Sequence, residues 1–254
     1  MHEGNSKLVL DKIRDYLSVN KIDFENHELI RNIKDRRNGR KFTFEDNIKG
    51  LIYAQLSNQT KWVNIATKLS QIDKLFFSFD KAKITQIQAS YFYDGIFALK
   101  CGNIATKKQM LALHENILML EQIEIEYGTL DHFYSTYPAD EIAKLLSGGK
   151  YKLKYMGYAL AWEFLRNVGV DGAKPDLHMR RIFGSDRLSY SSAAIASEDD
   201  VIRIVDGISA ETGYYKSYID NLLWSYCADG YGEICTANPK CAVCIVKEYC
   251  NHIN

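Results

Sequence analysis

Six cysteines occur in this chain of 254 residues, and four of them crowd into its last twenty positions. Cys235, Cys241, Cys244 and Cys250 follow a C-x5-C-x2-C-x5-C pattern. A loop this short can gather four thiolates around one inorganic core, and cysteine thiolates are the ligands that hold iron-sulfur clusters such as [4Fe-4S]. Zinc is the rival reading. Its sites are usually built from C-x2-C knuckles or Cys/His pairs, whereas this run contains one C-x2-C pair with longer flanks. Unligated or disulfide-bonded cysteines are the remaining alternative. Cys227 lies too far upstream to be a first-choice ligand, and Cys101 sits in an apolar stretch where a thiol reads as a small buried hydrophobe.

A second stretch with chemical content runs from Leu153 through Gly157 and Ala159 to Gly169. A glycine followed by small residues at the mouth of a helix lets a bound group approach the backbone, and the exposed first-turn amides there can hold a phosphate. The bland reading is an ordinary turn between two helices. Lys150, Lys152 and Lys154 crowd this turn and Arg166, Lys174, Arg180, Arg181 and Arg187 follow, against Glu163, Asp171, Asp176 and Asp186. The segment is therefore net basic, although 32 basic and 32 acidic residues leave the whole chain neutral. Overall neutrality is unpromising for a protein that wraps nucleic acid nonspecifically, so local clustering has to carry any phosphate-facing surface.

Between these two stretches, Pro175 stops any preceding helix and Asp176 is placed to cap the next, its carboxylate accepting from first-turn amides. A structural cap is the plainer role. A catalytic one is compatible with it, because amide donors at a helix N-terminus hold a carboxylate ionised. An ionised Asp176 facing a cleft stabilises developing positive charge or activates water.

Elements must position these groups, and the pattern offers helices. Leu8, Val9, Ile13 and Leu17 form one apolar stripe, and Ile48, Leu51, Ile52 and Leu56 form another. The stretches around residues 104–127, 139–147, 159–168, 177–183, 199–207 and 212–228 also read as helices, strand alternation is scarce, and only three prolines interrupt the chain. An all-α fold is expected, with 46% hydrophobic content to build its core. Most of the seventeen tyrosines and eleven phenylalanines read as packing residues. No run approaches the roughly 18 apolar residues of a membrane span. The start, Met-His-Glu-Gly, has no basic segment followed by an apolar one, so a soluble cytoplasmic protein with no membrane partner is expected.

The hairpin stretch Leu153 to Ala161, the segment Pro175 to Ile182 and the four cysteines, in this order and spacing, resemble the helix-hairpin-helix DNA glycosylase superfamily, and the layout is similar to that of endonuclease III. The family patterns are roughly L-P-G-V-G-R-K-T-A, V-D-T-H-I-F-R-V and C-x6-C-x2-C-x5-C. Leu51-Ile-Tyr-Ala-Gln55 further looks like the family's L-L-S-A-Q helix, whose glutamine enters the space left by a flipped base. The resemblance covers about residue 45 to the end. It implies two all-α lobes with a DNA cleft between them: a six-helix helix-hairpin-helix core over 45–170 and an iron-sulfur domain from 1–44 with 171–254. It also implies a monomer working on nucleoid DNA with a damaged or mispaired base, Asp176 as the catalytic carboxylate, and Cys235, Cys241, Cys244 and Cys250 around a [4Fe-4S] cluster. Gln55 would fill the vacated stack, while Gly157, Tyr158, Ala159 and Lys154 would hold the DNA backbone.

The departures carry information. Tyr155 stands where the hairpin pattern has its first glycine, and the first cysteine gap is five residues instead of six. Ala159 occupies the column in which bifunctional members place a Schiff-base lysine, so base removal without strand cleavage is expected, unless Lys152 or Lys154 substitutes. Leu51 stands where adenine-removing relatives carry a glutamate, which disfavours that substrate. Alkylated bases, oxidised purines and deaminated pyrimidines stay open as substrates, as do a catalytically silent lesion binder and a cluster-bearing redox sensor as functions.

Overall fold

A computed structural model describes residues 4–22, 24 and 28–252. The first three residues of the start, and pieces of the two segments expected to form the iron-sulfur domain, lie outside that set. Every regular element among the described residues is helical, as the periodicity predicts. The chain begins with α1 (Ser6–Val19), α2 (Glu28–Arg37), α3 (Phe44–Leu56), α4 (Trp62–Ala66) and α5 (Leu69–Leu75). It continues with α6 (Lys81–Gln86), α7 (Ala89–Ala98), α8 (Ile104–Leu111), α9 (Leu113–Tyr127) and α10 (Leu130–Thr136). Then come α11 (Ala139–Ser147), α12 (Tyr158–Asn167), α13 (Leu177–Ile182), α14 (Glu198–Thr212) and α15 (Lys216–Cys227). No helix among the described residues is long and apolar enough to cross a membrane.

The backbone divides into two compact units, Met1–Lys34 with Asp171–Asn254, and Asp35–Val170. In the first unit α1 packs against α14 and α15, and Val9, Leu10, Ile13 and Leu17 meet Val201, Val205, Ile219, Leu222 and Tyr226 in one apolar core. Leu8, assigned to that stripe by sequence, is instead 46% exposed, and Leu10 takes the inward place. Residues 9, 10, 13 and 17 subtend a single face at 100° per residue, and Leu8 falls off its edge. The rings of Tyr16 and Tyr226 meet in a T-shaped contact, with centroids 5.6 Å apart.

The second unit contains α3 to α12, ten helical segments where six were expected. Several are only one or two turns long. The segment read as one helix over 104–127 is divided at Ala112, whose amide still bonds back to Lys108 and Gln109, so no breaker residue marks the bend. Buried α3 starts with a capping box: Thr43 accepts from the Asp46 amide at 3.1 Å and Asp46 accepts from the Thr43 amide at 2.9 Å. Its partner is α12. A Cβ at Gly50 would meet the Val168 side chain at 2.9 Å, so glycine there lets the two helices close up, and Asn167 Nδ2 donates to the Gly50 carbonyl at 3.0 Å. Arg36 completes the end of α12 by donating to the Val168 carbonyl at 2.7 Å while pairing with Asp131 at 2.8 Å.

Candidate functional site

The hairpin between α11 and α12 is built by its own chain. Leu153 N donates to the Leu146 carbonyl at 2.9 Å, Lys152 N to Gly149 at 3.2 Å and Met156 N to Leu153 at 3.2 Å. Leu153 and Met156 are buried anchors, and Lys154, Tyr155 and Gly157 between and after them are exposed. Gly157 is the N-cap of α12 with an extended backbone, φ −83° and ψ 173°, and no side chain caps the helix. A Cβ at Gly157 would meet nothing within 4 Å, and its φ is one that any residue adopts. The protein's own packing therefore gives this glycine no reason to be there, in contrast to Gly50. What it keeps clear is the outside of a helix N-terminus that no side chain caps, the kind of place where first-turn amides can receive an anion.

Tyr158 and Ala159 are half-buried in the first turn of α12, with Ala159 at the position where the resemblance has a lysine. Local charge is less positive than the sequence suggests. Lys150 pairs with Glu126 at 2.6 Å, and Lys154 pairs with Glu115, both acids coming from α9. Glu126 and the Tyr151 hydroxyl hold the Lys150 ammonium well above its usual pKa. These pairs are exposed, so a phosphate can compete for either lysine.

Gln55 lies in the last turn of α3, on the helix that packs on α12. Its side chain is fully buried, and neither Nε2 nor Oε1 has a hydrogen-bond partner among the described residues. Leaving both ends of a primary amide unsatisfied costs about 1–3 kcal/mol for each group. Most buried polar groups of native interiors are paired, so Gln55 stands out among the polar side chains of α3.

Asp176 belongs to the first unit and does cap α13. A single oxygen does the work: Oδ1 accepts from the His178 amide at 2.9 Å and the Met179 amide at 3.2 Å. Oδ2 has no hydrogen bond or ion pair among the described residues. Half-buried Asp176 thus combines a fixed orientation with one unengaged carboxylate oxygen. His178, which sequence reasoning passed over, makes a T-shaped contact with Trp224 at 6.2 Å, and its buried Nδ1 has no hydrogen-bond partner among the described residues. Burial lowers its pKa, partly opposed by the Asp176 carboxylate, so the imidazole is neutral beside that acid at neutral pH.

The four clustered cysteines sit in a loop made of short 3-10 turns, Cys241–Val243 and Lys247–Tyr249. All are free thiols; Cys235 and Cys250 are buried, Cys241 and Cys244 half-buried. Cys227, fully buried at the end of α15, is hydrogen-bonded to Cys235, which keeps the Cys227 proton and lowers the pKa of Cys235. The Arg187 and Arg181 guanidiniums lower Cys235 further, while burial raises Cys250. Tyr226 Oη donates to Cys244 Sγ at 3.3 Å. Among the described residues no three His, Cys, Asp or Glu side chains are set to hold a single metal ion. The donor chemistry fits a thiolate-ligated group: four unbridged thiols on one loop, with a buried guanidinium beside them to offset negative charge. Cys101, as its apolar surroundings suggest, is fully buried in the second unit with its thiol pKa raised by burial.

The hairpin and Gln55 thus share the second unit, and Asp176 shares the first with the cysteines. Two further residues, Gln109 and Asn116, reach the hairpin from α8 and α9. No sequence signal links them to it, because they lie dozens of positions upstream. No protein-family model matches the chain, and no curated protein does.

Proposed function

We propose that this protein is a monofunctional DNA N-glycosylase that flips a damaged base from duplex DNA and hydrolyses its bond to the sugar. The observation that carries the reading is Asp176, oriented by two amides through Oδ1 and leaving Oδ2 unengaged. Extruding a nucleotide costs a few kcal/mol and is easiest at damaged or mispaired positions, which gives part of the selectivity. As the bond from the sugar's first carbon to the base nitrogen breaks, the electron pair leaves with the base and the sugar becomes cationic. The Asp176 carboxylate opposes that charge, orients water for attack on the same carbon and accepts its proton.

The remaining residues serve grip and placement. Gly157 leaves room for a phosphate at the amides of Gly157, Tyr158 and Ala159, with Lys154 alongside. Gln55, whose amide finds no partner among the described residues, would gain partners by taking the place of the extruded base. With Ala159 at the lysine column, that position offers no amine for imine formation. Cys235, Cys241, Cys244 and Cys250 would hold a [4Fe-4S] group, which when bound would staple the C-terminal loop instead of taking part in hydrolysis.

Duplexes carrying alkylated, oxidised or deaminated bases, assayed for free base before and after hot alkali, test the reading. Release of base from at least one duplex, with strand breaks appearing only after alkali, is the expected result. Tight lesion binding with no base released would replace it with a silent lesion binder, a reading that the open hairpin alone would favour. Efficient borohydride trapping on lesion DNA would instead reveal a lysine nucleophile and end the monofunctional assignment.

A further inference from the structure

Tyr155 has a left-handed backbone, φ +57°, in the middle of the Leu153–Met156 turn. Glycine adopts that conformation freely, and an L side chain adopts it at a cost. Two other non-glycine residues of this kind, Lys21 and Lys100, follow helix ends, where a left-handed residue closes the last turn. Tyr155 closes no helix. Tyr155 is 53% exposed, and its side chain makes no hydrogen bond or ring contact among the described residues.

The turn is held from outside by two buried amides. Asn116 Oδ1 accepts from the Lys154 amide at 2.6 Å, and Asn116 Nδ2 donates to the Lys154 carbonyl at 3.1 Å. Gln109 Nε2 donates to the Tyr155 carbonyl at 3.3 Å. Both side chains are 1% exposed, and they grip the peptides on either side of the left-handed residue. Their geometry fixes the backbone that glycine would otherwise make easy, and the side chain it carries is left exposed.

We propose that Asn116 and Gln109 are positioning residues that hold Tyr155 in its left-handed conformation, and that Tyr155 is an added DNA contact. Its ring lies against the sugar-phosphate backbone beside the phosphate taken by the α12 amides, and its hydroxyl donates to a phosphate oxygen. The inference rests on the glycosylase reading and deepens it: where a glycine tip offers backbone alone, this tip offers a side chain. Strain held in place by buried partners, with its return found only in the bound state, is how a functional residue differs from a packing one.

The test is a titration of a short duplex bearing a stable abasic-site analogue, followed by fluorescence anisotropy, with thermal midpoints measured in parallel. Tyr155→Gly should bind about tenfold more weakly, in the range expected for loss of an aromatic contact, while its midpoint stays equal or rises because the strain is gone. Tyr155→Phe should fall between, separating ring from hydroxyl. Asn116→Ala should lower both midpoint and affinity. Combined with Tyr155→Gly, its effect on the midpoint should shrink, because glycine needs no outside grip; a merely structural asparagine would cost the same in both backgrounds. Unchanged affinity in Tyr155→Gly overturns the contact, and additive midpoints overturn the positioning role. If Asn116→Ala fails to fold, Tyr155→Gly alone still decides the contact, and Gln109→Ala carries the same cycle. Wild-type protein that binds no duplex and releases no base overturns the glycosylase reading itself, whereas wild-type binding with an indifferent Tyr155 sinks this inference only.

Discussion

The hairpin and the cysteine loop are both short connections that the sequence marks as chemical, and they are held in opposite ways. Backbone bonds to Leu146, Gly149 and Leu153 and the amides of Gln109 and Asn116 determine the hairpin from within the second unit. The cysteine loop of the first unit has short 3-10 turns, and two of its thiols accept hydrogen bonds, from Cys227 and Tyr226. The difference teaches where function resides in each. On the proposed reading the second unit contributes backbone shape, prepared before any ligand arrives, and the first contributes side-chain identity, that of Asp176 and the cysteines.

Substitution can break or sharpen that contrast. The largest effect is expected at Asp176. Asp176→Asn keeps the shape of the cap and removes the charge, so base release should fall on the order of a hundredfold or more while lesion-duplex affinity holds. Equal losses of release and affinity would mean that Asp176 is only a structural cap.

Next comes the loop. Wild-type protein prepared without oxygen should be yellow-brown and contain iron and sulfide, and Cys241→Ser should lose the colour and melt at a lower temperature, because the ligand staples the segment. Stoichiometric zinc with no iron would overturn the cluster and restore the rival reading.

The two glycines give the cleanest comparison within one unit. Gly50→Ala drives a methyl into Val168 at 2.9 Å and should destabilise the fold by about 1–3 kcal/mol, seen in denaturant unfolding. Gly157→Ala meets nothing and should leave stability equal or slightly higher, yet weaken DNA binding by about tenfold, since 1.4 kcal/mol of lost phosphate contact is that factor. Unimpaired binding by Gly157→Ala would show that nothing approaches the hairpin there.

A smaller effect follows from His178. Its folded pKa lies below the ordinary value of 6.5, so the unfolded chain takes up the proton first as pH falls. Stability linked to the neutral ring is complete above that value and is lost as pH drops towards the folded pKa. Thermal midpoints of wild type should therefore fall more steeply between neutral and mildly acidic pH than those of His178→Gln; parallel curves would remove His178 as a source of the dependence. Smallest of all, Lys150→Ala and Lys154→Ala should each lower the slope of log affinity against log salt by about one if the lysine meets a phosphate, with no change in thermal midpoint. An unaltered slope would leave the lysines to their glutamates on α9.

Much of this was legible before any coordinates. Helical periodicity located α11, α12 and α13 to within a residue or two, because buried positions recur every three or four residues. Asp176 after Pro175 announced a cap, and the cap is present. The short helices between Trp62 and Ala98 gave no comparable signal, since a five- to ten-residue segment rarely completes an apolar stripe. The lysines at the hairpin were countable, but the acids that pair with two of them lie on α9, far away in sequence.

By itself the sequence determined what is local and chemical: helices from periodicity, a cap from proline followed by aspartate, and a run of four closely spaced cysteines. Only the tertiary structure decided what depends on distant partners. Among the described residues it left one oxygen of Asp176 unbonded and buried Gln55 without a hydrogen bond, put Gly50 in close packing with Val168 and left Gly157 clear of any neighbour, and brought Asn116 to Lys154 across 38 positions. The physical reason is that a side chain's type fixes the bonds it can make, while burial and hydrogen bonding across the fold fix which of those bonds remain available.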